Sequence, residues 1–282
     1  MPKQKTVGYF LPLLFLCSTC SSGTAEPQVR FKLLRDSLIT VPLLVNGRGP
    51  FDFVFDTGSE STFIDSKLAI QLNISPVDRV VMLNPSGEKV LIRGFADEIS
   101  LGATRVLHAE VIFGDLNGLH AVSPRIRGIL GQNVLSHFDY VIDYAHSMIG
   151  FGSEVNLEEP MSGMKTEIVP RHGCPVIAGR ISPGIDVQLS LDSGSSDLVL
   201  YKPKLPPSAR TVAAQLQTSS GAVETRTAVI PRLQIGNVSV WGVRATVLAN
   251  SQSSEIDGLV PTRLFNAVYF NNREGYVILR PR

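Results

Sequence analysis

One short pattern occurs twice in the chain, and each copy follows a run in which apolar side chains alternate with others. Asp-Thr-Gly-Ser occupies positions 56–59 after an alternating run at 51–55, and Asp-Ser-Gly-Ser occupies 192–195 after a run at 187–191. Alternation with a period of two predicts a β-strand with one buried face, and a glycine allows a sharp backbone turn behind each acid. A single copy would be ordinary turn chemistry, but two copies in matching contexts predict a duplicated fold.

Matching landmarks follow the two copies. Gly87 and Gly102 are separated by the same interval as Gly221 and Gly236. Short strands with frequent turn signals and little helix favour all-β domains, and the repeat indicates gene duplication. We therefore predict an all-β fold of two pseudo-symmetric β-barrel domains with an interdomain cleft, joined by a linker at 153–164. The predicted segments are a signal peptide, an N-terminal lobe and a C-terminal lobe, at residues 1–25, 26–155 and 156–282.

The N-terminal segment has the composition of a signal peptide. Lys3 and Lys5 supply positive charge, residues 7–17 form an apolar run, and residues 23–25 offer a small-residue cleavage site. The apolar run is too short to span a bilayer. We therefore expect an exported protein, periplasmic or secreted, with no membrane span after cleavage. An uncleaved anchor, a buried strand and a lipid-attached Cys20 remain alternatives.

Composition narrows the partners and cofactors to be expected. The chain of 282 residues has a net charge of +1, so its charge balance indicates no nucleic-acid partner. The five histidines show no paired spacing of metal ligands, and no glycine-rich phosphate loop is present, so we expect neither a metal nor another cofactor. Cys174 is the only cysteine beyond the signal segment, which rules out an intrachain disulfide. We expect both Cys174 and Trp241 to be core residues.

A two-fold relation between the halves would bring Asp56 and Asp192 together at the cleft. Two adjacent carboxylates cannot both ionise easily, so they would share one proton. The ionised acid could take a proton from water while the protonated acid donates to a carbonyl oxygen. That is general acid–base hydrolysis without a metal or a covalent intermediate. The alternative is that the two acids only cap unrelated structural turns.

These residues resemble the aspartic peptidases of the pepsin and retropepsin type, in particular exported bacterial proteins that carry both halves in one chain. The resemblance extends over residues 29–279 and is strongest at 39–64 and 128–138. It implies an aspartic-type endopeptidase, a hydrolase acting on peptide or protein substrates, in which Asp56 and Asp192 are the catalytic pair. Because one chain supplies both halves, it also implies a monomer.

The resemblance implies roles for the residues around the two acids as well. Residues 129–131 match an apolar-apolar-glycine segment that packs behind the first loop, and Ser86 and Gly87 match the substrate-binding flap. The residues implied to support the active-site loops are Thr57, Gly58, Ser59, Ser193, Gly194 and Ser195.

The hydroxyl groups of Ser59 and Ser195 carry a further expectation. In the family, the corresponding residue either bears a hydroxyl group or is alanine. A hydroxyl group placed there can donate a hydrogen bond to the outer carboxylate oxygen, which favours the charged form and lowers the pKa of the pair. The resemblance therefore predicts an acidic pH optimum.

Two departures from the family pattern favour other functions. Pro261 stands where the family usually has glycine, and residues 84–88 contain no tyrosine. Both departures would suit a non-catalytic peptide-binding protein that retains the fold. A structural envelope protein would fit the signal segment but would leave the two Asp-Ser/Thr-Gly loops unexplained. Retention of both acids favours the peptidase.

Overall fold

The computed structural model describes residues 28–84, 87–152, 165–201, 204–206, 209–218, 221–248 and 255–282. The predicted signal peptide at 1–25, the predicted linker at 153–164 and Ser86 lie outside these ranges. The proposed boundary between the two lobes falls within that linker, so it stays a prediction.

Among its described residues, the first half consists of strands and hairpins with three short helices. Asp65 caps the first helix, because its carboxylate accepts hydrogen bonds from the N–H groups of Lys67 and Leu68, each at 3.0 Å. The helices are α1 (Ser66–Gln71), α2 (Asn117–His120) and α3 (Gln132–Leu135). The strands are β1 (Gln28–Arg30), β2 (Lys32–Leu34), β3 (Leu38–Val45), β4 (Arg48–Phe55), β5 (Phe63–Asp65), β6 (Pro76–Asn84), β7 (Gly87–Leu101), β8 (Thr104–Gly114), β9 (Ile126–Leu130), β10 (Tyr140–Asp143) and β11 (Met148–Phe151).

The second half repeats this order with a single 3-10 turn, at Thr262–Leu264, among its described residues. The strands are β12 (Lys165–Glu167), β13 (Val169–Arg171), β14 (Cys174–Ile181), β15 (Ile185–Asp192), β16 (Leu198–Leu200), β17 (Val212–Thr218), β18 (Gly221–Ile235), β19 (Val238–Val247), β20 (Gly258–Pro261), β21 (Ala267–Asn271) and β22 (Tyr276–Arg280).

In each half the strands close into a barrel. Strands β3, β4, β9, β5, β8 and β7 pair in that order, and β7 pairs back onto β3. Strands β14, β15, β20, β16, β19 and β18 pair in the same pattern, and β18 pairs back onto β14. In both barrels the strand that leads to the acid has a parallel neighbour, β9 for β4 and β20 for β15. The predicted all-β fold with two pseudo-symmetric barrels is therefore confirmed.

A third sheet joins the two halves, and the sequence analysis did not predict it. Its strand order is β1, β11, β10, β21, β22 and β12, so the last hairpin of each half lies beside that of the other. Tyr140 of β10 pairs with Phe270 of β21 across the centre. Phe270 belongs to the same cluster of buried apolar side chains as Phe53 of the first barrel and Leu189 of the second. The two barrels therefore share one continuous core.

Trp241 is exposed, so its prediction as a core residue was wrong. The side chains of Val243 and Ala245 on the same strand are buried, and simple alternation would place Trp241 on their face. Gly242 interrupts the alternation with a φ of +63°. On the other side of this glycine the buried side chain is that of Val238, at an even-numbered position. Trp241 lies at this irregularity and remains 69% exposed.

Candidate active site

Each acid lies where a strand leaves its barrel. The strand β4 ends at Phe55, and the N–H group of the next residue, Asp56, donates to the carbonyl oxygen of Leu130 on β9 at 3.0 Å. Asp192 is the last residue of β15 and lies beside Pro261 of the parallel strand β20. In both halves the parallel neighbour fixes the point at which the loop begins.

Reciprocal hydrogen bonds join the two loops. Thr57 donates through its N–H group to Ser193 Oγ at 3.0 Å and through Oγ1 to the carbonyl oxygen of Leu191 at 2.8 Å. Ser193 donates through its N–H group to Thr57 Oγ1 at 2.9 Å and through Oγ to the carbonyl oxygen of Phe55 at 2.7 Å. Both side chains are almost fully buried, where an unpaired polar group would be costly. This arrangement brings Asp56 and Asp192 to the same place.

The two loop glycines allow the acids to approach each other. The N–H group of Gly58 donates to Asp56 Oδ1 at 2.9 Å, and that of Gly194 donates to Asp192 Oδ1 at 2.6 Å. A Cβ atom on Gly58 would lie 2.5 Å from Asp192 Cγ, and one on Gly194 would lie 2.8 Å from Asp56 Cγ. Any side chain at either position would therefore displace the opposite acid.

Burial dominates the electrostatics of the two acids. It raises the pKa of Asp192 well above the ordinary value; the charge of Asp56 raises it further, and the N–H groups of Gly194 and Ser195 oppose the rise. Burial also raises the pKa of Asp56, against hydrogen bonds from Asp192 and from loop N–H groups. The side chain of Asp192 is 6% exposed and that of Asp56 is half-buried. The pair is therefore arranged to hold one proton between the two acids.

The predicted contact of the loop serines with the acids is wrong. Ser59 Oγ donates to the carbonyl oxygen of Ser61 at 2.8 Å, and Ser195 Oγ donates to that of Asp197 at 2.7 Å. A hydroxyl group has a single proton to donate, so neither serine has one left for a carboxylate. The proposed reason for an acidic optimum is thereby removed.

The first loop is supported from behind by α3. The N–H group of Gln132 donates to the carbonyl oxygen of Ser59 at 2.8 Å, and that of Asn133 donates to Glu60 at 3.1 Å. The side chain of Gln132, which is 2% exposed, donates to the carbonyl oxygen of Thr57 at 3.0 Å. Gly131 permits this packing, because a Cβ atom there would lie 2.3 Å from the carbonyl oxygen of Ser61. The sequence analysis identified the segment 129–131 but missed the role of Gln132.

The second loop is supported by arginine side chains, which the sequence analysis also missed. Arg263 donates to the carbonyl oxygen of Ser196 from Nε at 2.9 Å and from Nη2 at 2.6 Å. Arg244 donates to Asp197 Oδ2 from Nε at 3.0 Å and from Nη2 at 2.8 Å. An alignment of the two repeats would have pointed to Arg263. It lies two positions after Pro261, as Asn133 lies two positions after Gly131.

Cys174 is buried, as expected for a core residue, but it also contacts the first loop. Its Sγ atom lies 3.4 Å from the carbonyl oxygen of Gly58, to which the thiol donates. Burial raises the pKa of Cys174 to about 12, and the charges of Asp56, Asp192 and Glu60 add to the rise. The group therefore stays a neutral thiol at ordinary pH.

Cys174 is expected to resist alkylation in the folded protein. Because the thiolate is the reactive form, iodoacetamide at pH 8 should modify folded protein at least about a hundredfold more slowly than protein unfolded in urea. Mass spectrometry of a chain beginning at residue 26, which contains no other cysteine, measures both rates. Equal rates in the two states would contradict the buried, protonated thiol.

A hairpin occupies the position of the predicted flap. Gly87 begins β7 and pairs with Asn84 of β6, so a hairpin is present at this position, while Ser86 lies outside the described residues. The second half has the corresponding hairpin, in which Gly221 of β18 pairs with Thr218 of β17. A role of either hairpin in substrate binding remains a prediction.

Within the described ranges, no helix combines the length and the apolar composition needed to cross a membrane. Over the same ranges, no three His, Cys, Asp or Glu side chains are grouped as a metal ion would require.

Comparisons with known proteins agree with this geometry. The sequence profile of a family described as aspartyl protease matches residues 41–134 and 177–261, together more than half of the chain. The solved structure of an aspartic proteinase from Irpex lacteus has a TM-score of 0.53 and 12% identity, with 90% of this chain and 96% of that chain covered. For the basic 7S globulin from soybean the TM-score is 0.53 and the identity 11%, covering 89% of this chain and 93% of that one. At these identities the two structures establish the shared fold alone. No curated protein matched the chain.

Proposed function

The chain belongs to the aspartyl protease family, and from that membership we propose that it is an aspartic endopeptidase that activates water between Asp56 and Asp192. One observation carries the proposal. The two loops hold each other through Thr57 and Ser193, so that the carboxyl group of each acid lies against the glycine that follows the other acid.

The unequal burial of the acids supports a division of roles between them. Asp192, the more deeply buried of the two, is proposed to hold the shared proton and to act as the acid, and Asp56 is proposed as the base. Asp56 takes a proton from water as the water oxygen attacks the carbonyl carbon, and Asp192 gives its proton to the carbonyl oxygen. The tetrahedral intermediate then breaks at the C–N bond. The amine nitrogen receives the proton held by Asp56, and Asp192 recovers a proton from a hydroxyl group of the intermediate.

The peptide-binding alternative rested partly on Pro261, which stands where the family usually has glycine and so implied a different support of the second loop. Arg263 and Arg244 contact that loop at Ser196 and Asp197. The loop therefore has support of its own despite the proline. Both acids are also present in the paired arrangement that proton sharing needs. These observations support the peptidase over the binding protein.

The proposal extends to the setting in which the enzyme acts. We propose a monomer with lobes at residues 26–155 and 156–282, since a single chain contributes both acids. We further propose export to the periplasm or the medium, with removal of residues 1–25; attachment of lipid at Cys20 is the alternative. The substrates are peptides or proteins.

Cleavage of a peptide library by the chain beginning at residue 26 tests the function. Reactions from acidic to neutral pH in water enriched in ¹⁸O should yield products with the label in the new carboxyl group, because water is the nucleophile. Since burial raises the pKa of both acids, we expect cleavage to persist toward neutral pH. Asp56→Asn is the control. Absence of cleavage, or identical products from the control, would contradict the proposal.

A further inference from the structure

The two catalytic loops are supported by different kinds of hydrogen-bond donor. Behind the first loop, the backbone N–H groups of Gln132 and Asn133 donate to loop carbonyl oxygens. In the second half, a backbone hydrogen bond of this kind to Ser195 or Ser196 is absent among the described residues, and the guanidinium group of Arg263 donates to Ser196 instead.

The backbone behind the second loop differs from that behind the first. Pro261 has no N–H group and restricts the backbone at the position that Gly131 occupies in the first half. The residues that follow it form a 3-10 turn at Thr262–Leu264, not the α-helix found in the first half. Arg263 presents two N–H groups in one planar fork, and both point to the same carbonyl oxygen. Hydrogen bonds from a charged donor are stronger than those from a neutral donor.

The contact with Ser196 lies one peptide away from a group that touches the acid. The N–H group of Gly194 donates to Asp192 Oδ1 at 2.6 Å, and the N–H group of Ser195 acts with it to lower the pKa of Asp192. Arg244 holds the next residue, Asp197, by its carboxylate. The orientation of the peptide between Ser196 and Asp197 therefore depends on donors that lie outside the loop.

We propose that Arg263 is a positioning residue, which keeps the N–H groups of the second loop directed at Asp192 by holding the carbonyl oxygen of Ser196. Its kinetic consequence rests on the proposed peptidase function, whereas its structural consequence does not. Loss of the two hydrogen bonds lets the loop relax, and the carboxylate of Asp192 loses part of its stabilisation.

Charges near Asp192 must be separated from this effect. The ionisable side chains that face Asp192 from the packed elements are Asp56, Tyr144, Cys174 and Tyr201. Tyr144 lies near enough to be influenced by the charges of both Asp192 and Arg263. A variant that removes the positive charge but keeps a donor is therefore needed.

The experiment compares Arg263→Met, which keeps an unbranched apolar stem without a donor, with Arg263→Gln, which keeps a donor without the charge. Arg180→Met removes an exposed arginine of β14 and is the matched control. Arg263 is outside the core cluster, so all variants should fold, which thermal melts verify. In Arg263→Met we expect kcat to fall about tenfold with little change in KM, and Arg263→Gln and Arg180→Met should stay close to wild type.

A carbon-detected NMR titration of ¹³C-labelled aspartate side chains gives a readout that does not need hydrolysis. The Asp192 signal, assigned with Asp192→Asn, should titrate about half a unit higher in Arg263→Met, because lost N–H donors disfavour the charged form. Wild-type titration in Arg263→Met overturns the proposal. So does a shift of equal size in Arg263→Gln, which would assign the effect to charge. If the wild-type protein cleaves no peptide, the proposed function fails while this titration still decides the role of Arg263.

Discussion

Replacing either Asp56 or Asp192 with asparagine is expected to lower kcat on the order of 10⁴-fold or more, while the fold stays intact. The two acids act as one unit: one must accept a proton from water and the other must donate one. The double variant should therefore be little slower than either single variant. Steady-state kinetics on one peptide from the library measure all three.

A matched control is available on the same strand as Asp192. Asp186 of β15 is exposed and pairs with Arg180, so Asp186→Asn changes the same atoms far from the paired acids and should leave kcat unchanged. Substantial activity in Asp56→Asn or Asp192→Asn would show that the paired carboxyl groups are not the catalytic machinery.

The second large effect is on stability: replacing Asp192 with asparagine is expected to stabilise the folded protein. Burial raises the pKa of Asp192 in the folded protein above its unfolded value. A group with a raised folded pKa contributes its stability fully below the unfolded pKa, and this contribution is lost as the pH rises toward the folded pKa. The wild-type protein should therefore lose stability from about pH 4 upward.

Asp192→Asn removes this loss, because an amide does not ionise. We expect the free energy of unfolding at pH 7 to rise by about 1 kcal/mol, as is common when an active-site residue is relieved of its functional strain. At pH 3 the carboxyl group is protonated in both states, and the difference should vanish. Urea unfolding at the two pH values provides the measurement.

Asp186→Asn again serves as the control, with the reverse expectation. The hydrogen bond from Arg180 lowers the pKa of Asp186, so removing its charge at pH 7 takes away an attraction and should not stabilise the protein. If Asp192→Asn is no more stable than the wild type at pH 7, the acids are not destabilised by their burial in the way described.

Local patterns were sufficient to predict the two strands that lead to the acids and the loops that follow them. The alternating run before Asp56 lies within β4, and the run before Asp192 lies within β15. Such features depend on side chains a few positions apart and on the backbone freedom of glycine, so a single sequence carries them. The exposure of Trp241 could not be predicted this way, because an irregularity at Gly242 reverses the alternation.

The sequence by itself determined the duplication, the all-β class and the pair of acids, because period-two alternation and repeated turn residues are local properties. Only the tertiary structure decided what each loop contacts. The hydroxyl groups of Ser59 and Ser195 point to backbone oxygens of their own loops, and Arg263 supports a loop 67 positions away. The pairing of β10 with β21 likewise joins distant segments into one sheet. These contacts depend on the three-dimensional packing of residues far apart in the chain, and that packing leaves no short-range pattern in the sequence.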